Sequence, residues 1–326
     1  MTTMKKYSKS KRKQTKYRFI EKSRKYRQKS SLNKTRKSWK HMMCSPNVSS
    51  IKVETSCYTP HILNTIKDAY NKSNPSDQIT TSNPTEIWNE LHAKLDHCNK
   101  EDCWLNSIDD PKLQKHIDRY VFAPDKPPEW NADPNAWLSN YDIMNVLEQY
   151  EKAYPHFNFI GPTPIDFDAK LNTSSNQCVW NELCHFDLDM QMKKGYSQFG
   201  IIFNTDNSGG PGKHWISLYI DISNQVMFYF DSANATTPPE VDVLAQRILD
   251  QAKKKGIVLK YMRNDKRHQQ SDTECGMYSL FFIVTMLTGK IEGRRIGLRK
   301  RLNMFKGEKK IPDSYIEAYR NIYFND

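Results

Sequence analysis

Residues 214–231 read HWISLYIDISNQVMFYFD. Ile216, Leu218 and Ile220 alternate with other residues, Ser223-Asn224 makes a turn, and Val226–Phe230 is a second short apolar run. The pattern predicts a β-hairpin that begins at His214 and ends at Asp231. A hairpin lays the start of one strand beside the end of the next, so an imidazole and a carboxylate far apart in sequence become neighbours. Further on, residues 269–276 read QQSDTECG and lead into the apolar stretch Met277–Ile283, which predicts a buried helix. Cys275 then stands at a helix start.

The four residue types have complementary chemistry. A free thiol has a pKa of about 8.5 and is mostly protonated at neutral pH. A helix start and a neighbouring imidazolium both favour its thiolate. His214 is the base, and Asp231 holds its ring in the useful tautomer. Acyl transfer also needs donors for a developing oxyanion. The backbone N–H of Cys275 is one, and the side-chain amide of Gln269 is another, with Gln270 as second choice. His268 is a rival base without an evident orienting carboxylate, and Asp221 and Asn234 are weaker rivals of Asp231. A lone Cys before an apolar helix, or a lone His before a strand, is most often structural; the coincidence of all four argues for a thiol hydrolase that requires no cofactor.

Outward from this centre, strands are expected from about residue 195: Phe199–Asn204, the two hairpin strands and Ile257–Met262. A helix over Pro239–Lys255 carries Val241, Leu244, Ile248 and Ala252 at helical spacing, and Gly256 stops it. The N-terminal half reads as helical. A short helix is expected at His61–Lys72. Another follows Asn83, with Asn83 as cap, Pro84 in the first turn and Glu86 completing a capping box. A third follows Pro111, and one more runs from Ile143 through Tyr150. The proline-rich stretch Ala123–Pro128 suggests a boundary. The expected organisation is a tail over 1–40, a helical N-terminal region over 41–125 and a catalytic domain over 126–326.

Charge is distributed unevenly. Residues 1–40 hold 17 of the 49 Lys and Arg and one of the 37 acids, Glu21. The remaining 286 residues therefore carry 32 basic and 36 acidic residues, a net −4 against +12 for the whole. The tail lacks the apolar periodicity needed to bury a face and is expected to be disordered when free. Its Tyr7, Tyr17, Phe19, Tyr26 and Trp39, interleaved with basic residues, suit phosphates and bases, so DNA or RNA is a candidate partner. A solvated tail or a nuclear address is the plainer alternative. No apolar run is long enough for a membrane span.

The seven cysteines are odd in number and irregularly spaced, and no apolar leader precedes them. A reducing compartment is the simplest expectation. Cys98 and Cys103 with His97, or Cys178 and Cys184 with His185, lack tight Cys-x₂-Cys spacing, so a metal is not expected. Gly209–Lys213 fails as a phosphate loop, because its spacing is wrong and His214 follows Lys213.

The wording around the four residues resembles a known superfamily, that of the SUMO-deconjugating proteases and the adenovirus maturation protease. The strings Gly212-Lys213-His214-Trp215, Ser232-Ala233, Pro238-Pro239 and Arg267-His268-Gln269…Thr273-Glu274-Cys275-Gly276 are closer to its polyprotein-processing branch, of the African swine fever virus type in large DNA viruses. The resemblance is strong over 195–287 and weak back to about 95. It implies an α+β, papain-like cysteine protease core with flanking helices. It implies a Cys275–His214–Asp231 triad, Gln269 in the oxyanion site, and cleavage after Gly-Gly in viral structural polyproteins. Trp215 and Trp137 are then the rings that leave a passage only glycine fits. Localisation in virions and at cytoplasmic assembly sites would follow. Three departures stand out. Asn140 replaces an acid of the deconjugating enzymes' Trp-Leu-Asn-Asp. The swine fever type has Asn at the Asp231 position, and a Gln where Asp272 stands here. Gly209-Gly210, the chain's sole Gly-Gly, lies just before His214, which argues against self-activation by cleavage at such a site. The alternatives are a deconjugating isopeptidase and, from another class, a nucleic-acid-binding scaffold with an inactive protease fold.

Overall fold

The computed structural model describes residues 39–171 and 176–326. The expectations for the basic tail therefore fall almost wholly outside the described residues. Residues 40–326 form one compact unit.

Three helices open it: α1 (Pro60–Ser73), α2 (Pro84–Lys94) and α3 (Pro111–Val121). Each begins with Pro in the first turn behind a side chain that accepts amide hydrogens: Thr59, Asn83 and Asp110. This supplies acceptors for N–H groups that have no partner in their own helix. Glu86 does not close a capping box; its carboxylate accepts the Thr81 hydroxyl instead. Helix α4 (Asn140–Ala153) does carry one, between Ser139 and Asp142.

A five-stranded sheet follows: β1 (Phe157–Pro164), β2 (Gln198–Asn204), β3 (Trp215–Asp221), β4 (Val226–Phe230) and β5 (Lys260–Arg263), in spatial order β1-β2-β3-β4-β5. The central pairs are antiparallel and the outer pairs parallel. Two short helices, α5 (Asn181–Cys184) and α6 (Leu188–Lys193), lie in the β1–β2 crossover, and α7 (Pro239–Lys254) makes the β4–β5 crossover. Strand β1 corrects the expectation that strands begin near 195. Gly161, Pro162 and Pro164 break its pattern, and an edge strand tolerates such residues because one side of its backbone needs no ladder.

Both faces of the sheet are covered. Ile216, Leu218 and Ile220 of β3 pack with Val241, Leu244 and Ile248 of α7. Trp215 and Tyr219 of β3 point the other way, into a core built around α8 (Cys275–Thr288). Thirteen of the fourteen α8 residues are buried, as suits a central helix apolar all round. Beyond it come the small hairpin β6 (Lys290–Ile291) and β7 (Arg294–Arg295), then α9 (Leu298–Lys306), α10 (Asp313–Glu317) and α11 (Arg320–Tyr323). This is the α+β arrangement expected. No helix among the described residues is long and apolar enough to cross a membrane.

The proline-rich segment is not a boundary. The Asn325 side chain accepts from the Met43 N–H at 2.6 Å and donates to the Ala123 carbonyl at 2.9 Å. Its backbone exchanges hydrogen bonds with Pro124 and Lys126. The C-terminus thus binds the 41–125 region into the same unit as the sheet.

The cysteines, whose odd number and irregular spacing suggested a reducing compartment, are mostly paired. Cys44–Cys57, Cys98–Cys103 and Cys178–Cys184 are disulfides, with Cα separations of 5.1, 5.7 and 6.3 Å. Irregular spacing gave no sign of this, because the fold and not the spacing decides which Cα atoms come within bridging distance. His97 and His185 each lie beside one of these pairs. Cys275 alone of the seven is free.

Candidate active site

The hairpin delivers its two end residues as expected. His214 precedes β3, Asp231 follows β4, and His214 Nε2 lies 2.6 Å from Asp231 Oδ1. Asp231 is 1% exposed and also accepts the Ala233 N–H at 2.9 Å and the Ala235 N–H at 2.7 Å. Burial pushes its pKa upward, but the imidazole and the two amides outweigh this and hold the carboxyl below its ordinary value. A carboxylate only accepts, so Nε2 carries the proton. Nδ1 is left free of the carboxylate, and the Cys275 sulfur lies near enough to favour the charged ring. Burial pulls the His214 pKa down; Asp231 and the sulfur overcome it and raise the pKa to about 9.

Cys275 is the first residue of α8 and is 1% exposed. No side chain caps this helix, in contrast to α1 through α4. Its first-turn N–H groups therefore remain available for negative charge on sulfur or on an adjacent oxygen. Gly276 permits the tight surroundings. A Cβ there would stand 3.1 Å from Leu138 Cβ and 3.2 Å from Trp215 Cδ1.

Gln269 is buried, and its loop is tied to that of the acid. Ser232 gives its hydroxyl hydrogen to Gln269 Oε1 at 2.6 Å, and the Gln269 N–H is bonded to the Ser232 carbonyl. One hydrogen of the Gln269 amide goes to the Ser271 carbonyl at 2.7 Å, and an amide carries two. Gln270 is exposed, and its amide turns back onto the Gln269 carbonyl. Burial and anchoring therefore favour Gln269 as the fixed donor.

The two tryptophans differ. Trp215 is 7% exposed, packs in the core and donates its indole N–H to the Leu138 carbonyl at 3.1 Å. Trp137, one residue before Leu138, is 47% exposed. Trp215 is therefore a core wall that holds the Leu138 carbonyl, whereas the Trp137 ring is open to solvent. His268 is no rival base. It is fully buried, accepts the Ile311 N–H at Nδ1 and faces the Phe305 carbonyl with Nε2, and burial lowers its pKa.

Several residues of the site carried no signal in sequence. Asn264 grips both backbone ends of Asp231, accepting its N–H at 3.1 Å and donating to its carbonyl at 2.7 Å. Asp313 accepts the Gln270 and Ser271 amides and the Tyr278 hydroxyl, so it fixes the loop before the nucleophile. Glu274, the residue before Cys275, is buried against Arg320. Glu274 could have been suspected as a carboxylate beside a thiol, but its partner from α11 could not.

A free thiol at an uncapped helix start, near an imidazole that a buried carboxylate orients, is the arrangement of a cysteine-protease type of site. Residues 199–314 match the family described as Ulp1 protease family, C-terminal catalytic domain. A protein of Acanthamoeba polyphaga mimivirus named as a thiol protease is 34% identical over 157 residues, covering 47% of this chain and 49% of its own length. The cysteine protease of an African swine fever virus isolate is 32% identical over 153 residues, covering 45% of this chain and 56% of its own. The chain thus spans about half the length of these relatives. The crystal structure of the African swine fever virus protease is similar in fold, with a TM-score of 0.58 at 21% identity over 87% of this chain and 95% of that one. The likeness read from the motif strings is borne out: residues 199–314 are similar to the Ulp1-type protease domain and to these viral thiol proteases.

Proposed function

We propose that the protein is a cysteine endopeptidase that cuts after Gly-Gly in structural polyproteins of a large DNA virus during particle maturation. The observation that carries the catalytic part is the 2.6 Å His214–Asp231 contact beside the buried Cys275 thiol. Cys275 attacks the carbonyl carbon as a thiolate while His214 holds the proton. The tetrahedral oxyanion forms against the Cys275 N–H, with the Gln269 amide as second donor. His214 then protonates the leaving amine, a thioester forms, and His214 removes a proton from the water that hydrolyses it. Asp231 keeps Nε2 protonated throughout.

The glycine preference is supported by the confinement of the sulfur. Leu138 and Trp215 pack closely on Gly276, the residue after the nucleophile, and so bring their side chains close to the Cys275 backbone. Trp137, adjoining the Leu138 that packs against Gly276, is exposed and would supply a face on which a glycine backbone can lie. The name of another African swine fever virus relative, a SUMO-1 cysteine protease, favours a second reading: deconjugation of a SUMO-like modifier with the same residues. A Gly-Gly-Ala peptide and a SUMO conjugate, offered in parallel, separate the two. Cleavage of the peptide alone supports the polyprotein reading, and cleavage of the conjugate alone overturns it.

A further inference from the structure

Behind the nucleophile lies an ion pair that the catalytic steps do not use. Glu274, immediately before Cys275, is fully buried, and Arg320 is 6% exposed. Arg320 approaches it in a fork, with Nη2 2.7 Å from Oε1 and Nε 3.2 Å from Oε2. The Thr273 hydroxyl adds a third hydrogen bond to the same carboxylate. The remaining face of the guanidinium is engaged elsewhere. Nη1 donates to the Pro134 and Ala136 carbonyls, both at 3.1 Å, and the group lies 4.3 Å from the centre of the Trp130 ring. Trp130 itself donates to the Ala136 carbonyl. The next residue is Trp137.

We infer that Arg320 is a positioning residue which holds the start of the Cys275 helix and the Trp137 loop in one frame. Burying two charges is costly, and surface packing alone would be served as well by apolar side chains. A planar fork with five donors, however, can meet a carboxylate on one edge and two carbonyls on another, which neither an apolar residue nor Lys can do. Removing it has two separable consequences. Glu274, the residue before the nucleophile, becomes a buried carboxylate without its cation, and a stray negative charge at this helix start disfavours negative charge on sulfur. The Pro134 carbonyl loses this donor and that of Ala136 keeps only the Trp130 N–H, so the loop leading into Trp137 is held less firmly. The charged groups around this helix start are His214 just before β3, Asp231 after β4, Asp313 from α10, and the Glu274–Arg320 pair itself. Asn325, five residues beyond Arg320, ties the same segment to Met43 and Ala123. The chain's last seven residues therefore connect the N-terminal region to the nucleophile.

The inference rests on the cysteine-hydrolase reading, and its test is made on the full chain with two readouts. One is the pH dependence of iodoacetamide labelling at Cys275, which needs no substrate. The other is kcat and KM per folded molecule on a Gly-Gly-Ala peptide. Arg320→Gln is expected to move the labelling midpoint upward by about one pH unit and to lower kcat/KM on the order of tenfold to a hundredfold. Arg320→Gln with Glu274→Gln removes the stray charge, so the labelling profile returns while KM stays high. Arg320→Lys keeps the charge but not the fork; it is expected to label like the parent and to show raised KM, and it serves if the Gln variant does not fold. Parental labelling, kcat and KM in the folded variants, with only the melting temperature reduced, would overturn the inference. A parent protein that labels rapidly but cleaves no peptide would count against the proposed substrate, and the labelling comparison would still decide the role of Arg320.

Discussion

The Asp231 carboxylate accepts three hydrogen bonds, and the one from His214 is its shortest, at 2.6 Å. Asp231 therefore does more than neighbour the imidazole: with Ala233 and Ala235 fixing its plane, it offers His214 one orientation. Asp231→Ala is expected to lower kcat by roughly 10²- to 10⁴-fold through loss of tautomer and alignment. Asp231→Asn should retain more activity than Asp231→Ala, because an amide oxygen can still accept from Nε2. Steady-state kinetics on the Gly-Gly-Ala peptide checks the order of the two.

The His214 pKa, raised to about 9, sets the alkaline limb of the reaction. Above that pH the ring has no proton to give the leaving amine, so kcat/KM should fall. Stability follows the same group. A pKa raised on folding contributes stability that is complete below the unfolded value of about 6.5 and is lost as pH climbs through the folded one. Asp231, whose pKa is lowered, contributes above its ordinary range and loses its contribution in acid. The melting temperature should decline between pH 7 and 10, and less steeply in His214→Gln.

The unequal exposure of the two tryptophans makes a paired experiment. Trp137→Ala should raise KM severalfold with little change in melting temperature, since its ring is 47% exposed. Trp215→Ala removes a core ring and its hydrogen bond to Leu138, and should cost about 3–5 kcal/mol in denaturant unfolding.

Gly276 tests the confinement beside the sulfur. Gly276→Ala adds a methyl 3.1 Å from Leu138 and 3.2 Å from Trp215, so one wall must give. Overpacking of this kind costs about 1–3 kcal/mol, and a displaced wall should lower kcat/KM on the order of tenfold or more. Activity equal to the parent would show that these walls do not position the substrate.

The basic tail remains a proposal drawn from sequence: that it tethers the protease to nucleic acid. Comparing the full chain with one starting at Met42 on a DNA duplex, over a range of salt, checks it. The full chain should bind more tightly, with a salt dependence that weakens when the tail is removed. Equal binding would end the idea.

Much of the centre of this fold was legible, for physical reasons. The β3–β4 hairpin alternates over a short local distance, and α8 is a continuous apolar run, so both announce themselves and bring His214, Asp231 and Cys275 with them. Strand β1 was hidden, since its glycine and prolines are tolerable only at a sheet edge, and edge status is not a local property. The disulfides, the Asn264 clamp and the Glu274–Arg320 pair were hidden for a related reason. Each joins residues whose proximity depends on the completed fold. The expected boundary at 123–128 failed because prolines there turn the chain within one unit, where Asn325 binds them.

The most direct measurement is intact-mass labelling with iodoacetamide at neutral pH, without reductant. Six cysteines are paired in disulfides, so the reaction reports on Cys275 alone. The structure leads to one rapid adduct, slowed strongly by His214→Ala and partly by Asp231→Ala. Slow labelling that His214→Ala leaves unchanged would contradict the assignment of Cys275 and His214 as a working pair, and with it the proposed activity.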